Sequence, residues 1–288
     1  MDMSVLQGWW GVRDATSWTV IASAVLAGGV LRGMTGFGAA LLMAPLLALV
    51  ASARDTLCLV TLLNALPLTH ALAPAMRRQV DHRVLLPMLG AAACGLPCGL
   101  WAVQRVPAGH FGLLVGLSVL LSAALMASGW RPRWTPGPAG AALAGLASGL
   151  LTGFGGVGGP PAILYLLAID TDARRLRASF LVYFGCLYPM ALACIALGGV
   201  LDRALLLQSL LLAPLFHAGG LLGERVYRVL DPRYFRRVVL ALLMIIGLLA
   251  SWPRQAADMV HRTAAVQENP ANRSGESPVI RHVIVLNQ

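Results

Sequence analysis

Two tetrapeptides and one cation carry the chemistry this sequence could do. Thr35-Gly36-Phe37-Gly38 returns as Thr152-Gly153-Phe154-Gly155, 117 positions later. Each copy lies in the middle of a long apolar run, Ser17–Val50 and Ala139–Ile169. Arg32 is the one charge in the first run, and the second run has none. A helix broken inside an apolar medium exposes backbone N–H groups at the start of its second piece. Those groups and the helix dipole favour anions. The hydroxyls of Thr35 and Thr152 are further donors for an oxyanion, while Phe37 and Phe154 read as packing or gating residues. An arginine at the bilayer centre costs at least about 2.5 kcal/mol, which makes Arg32 a functional candidate. The competing reading is that it snorkels to the interface. Asn64, Tyr183 and Tyr188 are candidate cavity residues. His70 and His217 are candidate coupling residues, with packing as the simpler reading.

The elements that must position these residues follow from composition. The chain of 288 residues is 58% hydrophobic and 12% charged, about half the ~25% charge of soluble domains. It therefore reads as an all-α polytopic membrane protein. All 22 basic residues are arginine, and they sit mainly in short segments between apolar runs. The positive-inside rule explains that pattern without invoking nucleic acid. A straight helix over Ser17–Val50 would be about 51 Å long at ~1.5 Å per residue, against a hydrocarbon core of about 30 Å. Glycine at the centre of each long run gives the natural break. Six further runs are Thr56–Pro74, Val84–Val103, Phe111–Gly129, Leu176–Leu197, Ala204–Gly223 and Val238–Trp252.

The organisation is then an interfacial segment at 1–16, a first repeat at 17–129, a linker at 130–138, a second repeat at 139–252 and a polar, disordered tail at 253–288. Residues 1–16 lack a signal-peptide pattern, so the first run is expected to be retained. Each repeat is a glycine-broken helix, re-entrant or bent, followed by three transmembrane helices. Asp55 and Asp172 keep the spacing of 117, and Gly95-x3-Gly99 returns as Gly219-x3-Gly223. If each broken run leaves on the side it entered, every arginine-rich segment is cytoplasmic, both termini are external and the repeats are inverted.

These residues resemble the sulfite exporter TauE/SafE family. The resemblance is carried by Gly29-x3-Gly33-x2-Gly36-Phe37-Gly38 with Pro45, and by Gly145-x3-Gly149-x3-Gly153-Phe154-Gly155-Gly156 with Pro160 and Pro161. Ala39 and Ala40 depart from the glycine-richer first motif expected there. The resemblance implies a secondary transporter in the cytoplasmic membrane for a small oxyanion such as sulfite, sulfonate or thiosulfate. It adds Gly156, Pro160 and Pro161 to the expected substrate-binding set. An anion channel, an intramembrane enzyme and a non-transporting scaffold are the alternatives.

The twelve acidic residues all fall outside the centres of the apolar runs, so no carboxylate proton relay is expected. The sequence has no His-Glu-x-x-His motif and no Cys-x-x-Cys pair, so neither a metal nor a cofactor is expected. Lipids and a small anion are the expected partners, with a homodimer left open.

Single cysteines in a cysteine-free background test the topology. A membrane-impermeant reagent should label position 260 from outside and leave positions 79 and 175 untouched. External labelling of position 175 contradicts the inverted arrangement.

Overall fold

The computed structural model describes residues 15–66, 79–128, 137–170 and 172–229, with isolated helical positions at 244 and 248. These belong to one compact unit, Met1–Ser251. His70, the eighth apolar run apart from those two positions, most of the linker and the tail lie outside the described residues.

Among the described residues the chain forms nine helices: α1 Ala15–Thr35, α2 Ala39–Ala48, α3 Ala53–Ala65, α4 His82–Val103, α5 Ala108–Ala127, α6 Pro138–Gly155, α7 Gly159–Ile169, α8 Ala173–Leu197 and α9 Arg203–Val229. Five of them, α1, α4, α6, α8 and α9, hold stretches long and apolar enough to cross a membrane. The protein is a multi-pass helical membrane protein, because only segments that satisfy their own backbone hydrogen bonds are stable in hydrocarbon.

Both long runs break at glycine. Gly36 and Gly38 sit at φ 80° and 88° between α1 and α2, and Gly156 sits at φ 75° after α6. A side chain is strained in this left-handed region. The end of α6 is a left-handed glycine stop, with Gly156 N–H donating to Thr152 O at 2.8 Å and Val157 N–H to Leu151 O at 3.3 Å.

At each break the chain doubles back. Leu31 packs with Leu42, with Ala27 and Leu46 beside them. A β-carbon on Gly28 would lie 2.7 Å from Met43 Sδ. Pairs that move apart in number on either side of the break describe an antiparallel hairpin. In the second hairpin Tyr165 Oη donates to Gly137 O at 3.0 Å, which ties the middle of α7 to the start of α6.

The repeated tetrapeptides do not occupy equivalent places. Gly36 is the left-handed glycine of the first break, whereas Gly153 lies inside α6 and Gly156 turns the second. The landmarks that match are 120 apart: Gly29 with Gly149, Gly33 with Gly153, Gly36 with Gly156, and the N-caps Ser52 and Asp172. Asp55 N–H donates to Ser52 Oγ at 3.1 Å, and Arg175 N–H donates to Asp172 Oδ1 at 3.4 Å. Two further differences concern the arginines. Arg174, Arg175 and Arg177 lie in the first turns of α8 rather than in a loop, and α9 continues through Arg225 and Arg228.

Each broken helix packs on a helix of the other half through glycine. The Gly29 and Gly33 backbones of α1 meet Phe216 O and Gly220 O of α9. Gly145, Gly149 and Gly153 of α6 meet Met88 O, Ala92 O and Leu96 O of α4, and Gly95 and Gly99 meet α6 in return. Residue numbers rise together along both pairs, so each pair is parallel. Small residues at such crossings let backbones approach closely, which substitutes for the hydrophobic drive that lipid removes.

Gly95→Leu and Gly219→Leu should therefore lower the thermal stability and folded yield of detergent-purified protein by roughly 1–3 kcal/mol or more. Gly90→Leu, where a β-carbon meets nothing within 4 Å, should leave both unchanged. Equal behaviour of all three would remove close packing as the reason for these glycines.

Candidate functional site

The first break, the start of α7 and two flanking helices enclose one cavity. Its walls are Arg32, Gly36, Phe37 and Gly38 from the first break, Ala40 and Leu41 of α2, Asn64 of α3, Gly159 of α7, and Phe184 and Tyr188 of α8. The enclosed space is about 10 Å³, close to the ~10–15 Å³ that one water needs. A tetra-atomic oxyanion enters only if the walls move.

Arg32 is placed by the last turn of α1. Its Nη1 donates to Asn64 O at 2.9 Å and to Asn64 Oδ1 at 3.1 Å. Asn64 is the penultimate residue of α3, so its carbonyl is one of those a helix end leaves open. Arg32 thus caps α3, and a cation at a helix C-terminus is favoured by the dipole. Asn64 Nδ2 donates to Val60 O at 2.8 Å, which turns Oδ1 toward the guanidinium. The Phe216 ring of α9 lies 5.8 Å from Arg32 Cζ. All these partners are neutral, and among the described residues no carboxylate pairs with Arg32. Sequence reasoning singled out Arg32 and Asn64 separately; the structure joins them.

The threonines do another job. Thr35 Oγ1 accepts from Phe37 N–H at 3.1 Å and lies 2.8 Å from Leu31 O, and it also contacts Phe37 O. Its hydroxyl builds the turn. Thr152 Oγ1 donates to Ser148 O at 2.8 Å, fully buried within α6. Neither threonine lines the cavity, because each finds a backbone partner within one turn. Gly153 packs against α4, and Gly155 packs near Val115 of α5. The Phe154 ring faces Phe111 at 6.0 Å. These three residues are set back from the cavity.

Around the second break, Tyr188 Oη donates to Gly156 O at 3.1 Å, and Ser148 Oγ donates to Gly158 O at 2.5 Å. Val60 of α3 fills the space beside Gly156. The ring of Phe37 packs on Phe180 at 4.8 Å and Phe184 at 6.5 Å. Tyr183 is buried with its ring edge-on to Phe184 and does not line the cavity. His217 is exposed on α9, where its neighbour Phe216 takes the inward position.

Both half-helices start without a side-chain cap, at Gly38 and at Gly158. The N–H groups of Ala39 and Ala40 have no intrahelical acceptor by the geometry of a helix start. At α7 Gly159 keeps the N–H that corresponds to Ala39, but the next two positions, Pro160 and Pro161, carry none. A β-carbon on Gly159 would lie 3.8 Å from Leu41 Cδ1, so the two half-helices meet. Sequence reasoning missed Phe184, Gly159 and Ser148. For Phe184 the signal was available, since it sits one helical turn before Tyr188.

A polytopic protein with two glycine-broken helical hairpins that border one cavity holding an arginine has the form of a membrane transporter. Residues 20–250 match the sulfite exporter TauE/SafE family, and the chain belongs to it. A protein of Cupriavidus necator described as a probable sulfite/organosulfonate exporter TauE is 27% identical over 244 residues, covering 80% of this chain and 92% of that protein. No solved structure matches this chain at a significant level.

Two substitutions rank the contacts of the site by thermal melting. Tyr188→Phe should cost about 1 kcal/mol for one neutral hydrogen bond, and Asn64→Leu about 1.5–3 kcal/mol because it strips a charged donor. The reverse order would mean that Arg32 does not depend on Asn64.

Proposed function

We propose that this protein is a secondary transporter that moves a small organic or sulfur-containing oxyanion, such as sulfite, a sulfonate or thiosulfate, across the cytoplasmic membrane. The reading rests on one observation above the rest: Arg32, a cation with neutral partners only, borders the cavity where the first break meets α7. A half-buried charge of this kind is stabilised by an anion that arrives beside it.

The remaining features support the same reading. The first turn of α2 supplies free N–H groups at the cavity. A space of one water's volume means that the anion must open the site on one side or the other, as a carrier requires. The two hairpins, each packed on a parallel helix of the opposite half, fit inverted repeats that rock about a fixed central site. The family and its Cupriavidus relative supply the substrate class. Arg32, Gly36, Gly38, Asn64, Gly159 and Tyr188 carry the binding role, with Phe37 and Phe184 as the movable wall.

Counterflow of labelled sulfite or methanesulfonate in proteoliposomes tests this. Arg32→Gln should weaken apparent affinity on the order of tenfold or more, matching ~1.5–3 kcal/mol for a hydrogen bond to a charged group. Gly36→Leu should abolish binding, since its left-handed backbone excludes the side chain. Gly153→Leu should instead reduce folded yield, because its backbone lies on α4. Wild-type affinity in folded Arg32→Gln and Gly36→Leu proteins would remove the site from this cavity.

A further inference from the structure

We propose that the site selects a singly charged oxyanion, so that a substrate of sulfite type crosses as its protonated monoanion and carries its own proton. The inference rests on the transport reading and adds the charge state of the cargo.

The argument is a charge census. Among the described residues Arg32 is the only charged one lining the cavity, and the rest of that lining is glycine backbone, the Asn64 amide and apolar or aromatic side chains. The helix dipoles add little. Each break joins one helix C-terminus to one helix N-terminus, so their half-charges offset. Pro160 and Pro161 remove two donors from the first turn of α7 and leave that of Gly159, so most of the backbone hydrogen-bonding capacity is on the α2 side. A dianion in this site keeps one charge uncompensated against aromatic walls, and low-dielectric surroundings disfavour that form.

The neighbouring groups do not alter the balance. α2 has no titratable residue. On α3, Arg54, Asp55 and Cys58 lie at the end opposite Asn64. Tyr165 of α7 is bonded to Gly137. On α8, Tyr183 is outside the lining, Tyr188 is bonded to Gly156, and Arg177 lays its aliphatic stem against Gly36 without lining the cavity. On α9, His217 is exposed, and Glu224 forms no ion pair with Arg32. Among the described residues no carboxylate or imidazole lines the cavity to shuttle a proton. The proton therefore binds the anion before entry, crosses on it and dissociates after release; no other bond forms or breaks.

Proteoliposomes with a luminal pH dye test this, with protein-free liposomes subtracted. Methanesulfonate, a monoanion throughout, serves beside sulfite, whose second dissociation lies near neutrality. The KM for total sulfite should rise roughly tenfold between about pH 6 and pH 8 as the monoanion fraction falls. The KM for methanesulfonate should stay constant, and sulfite influx alone should acidify the lumen. A sulfite KM that is flat with pH, or sulfite influx without protein-dependent acidification, overturns the inference and leaves the transport reading intact. Where only sulfite moves, the acidification arm decides. Absence of saturable flux for both anions removes the inference and the transport reading together.

Discussion

A helix can stop inside a membrane only where something other than water takes its open backbone groups. The rest of this structure follows from that constraint. At the first break the hydroxyl of Thr35 serves the turn, and Gly36 N–H closes on Arg32 O at 2.7 Å. At the second, Tyr188 and Ser148 reach carbonyls of Gly156 and Gly158. Arg32 meets the open carbonyl at the end of α3. What these contacts leave over is chiefly the first turn of α2, with the one N–H of Gly159 at the start of α7. The proposed anion site is the remainder of a backbone otherwise satisfied at the breaks.

That remainder has to be held still, and glycine does the holding. The parallel pairs α1 with α9 and α4 with α6 bring backbone against backbone. Contact at that distance transmits the position of one hairpin to a helix of the opposite half. Packed interfaces of this kind shift between discrete arrangements rather than deform smoothly. Glycines thus serve two purposes: Gly36, Gly38 and Gly156 make the breaks, and others along α1, α4, α6 and α9 hold the broken helices against their neighbours.

Much of this was legible in the sequence. Run length against bilayer thickness demanded two breaks, and glycine said where. The lone charge of Arg32 pointed to the proposed site, because a cation in an apolar run needs a reason. The register of the second break was not legible. Four identical residues suggested a spacing of 117, yet a left-handed turn depends on which glycine the helix stop selects, and that is Gly156 rather than Gly153. The backbone partners of the threonines, expected as oxyanion donors, were not legible for a related reason. A hydroxyl next to open carbonyls bonds to them first. Asn64 and Tyr188 were legible only as polar residues in apolar helices. Their partners, Arg32 and Gly156, are 32 positions away in each case, a distance no local pattern encodes.

The central claim is that an anion sits against Arg32 between α2 and α7. Selenite places selenium where sulfur would be, and its anomalous scattering in crystals of the protein locates it directly. The account predicts a peak beside the Arg32 guanidinium and the first N–H groups of α2, with Phe37 or Phe184 displaced to admit it. A peak confined to surface arginines, with Arg32 held on Asn64 and the cavity unchanged, would contradict it.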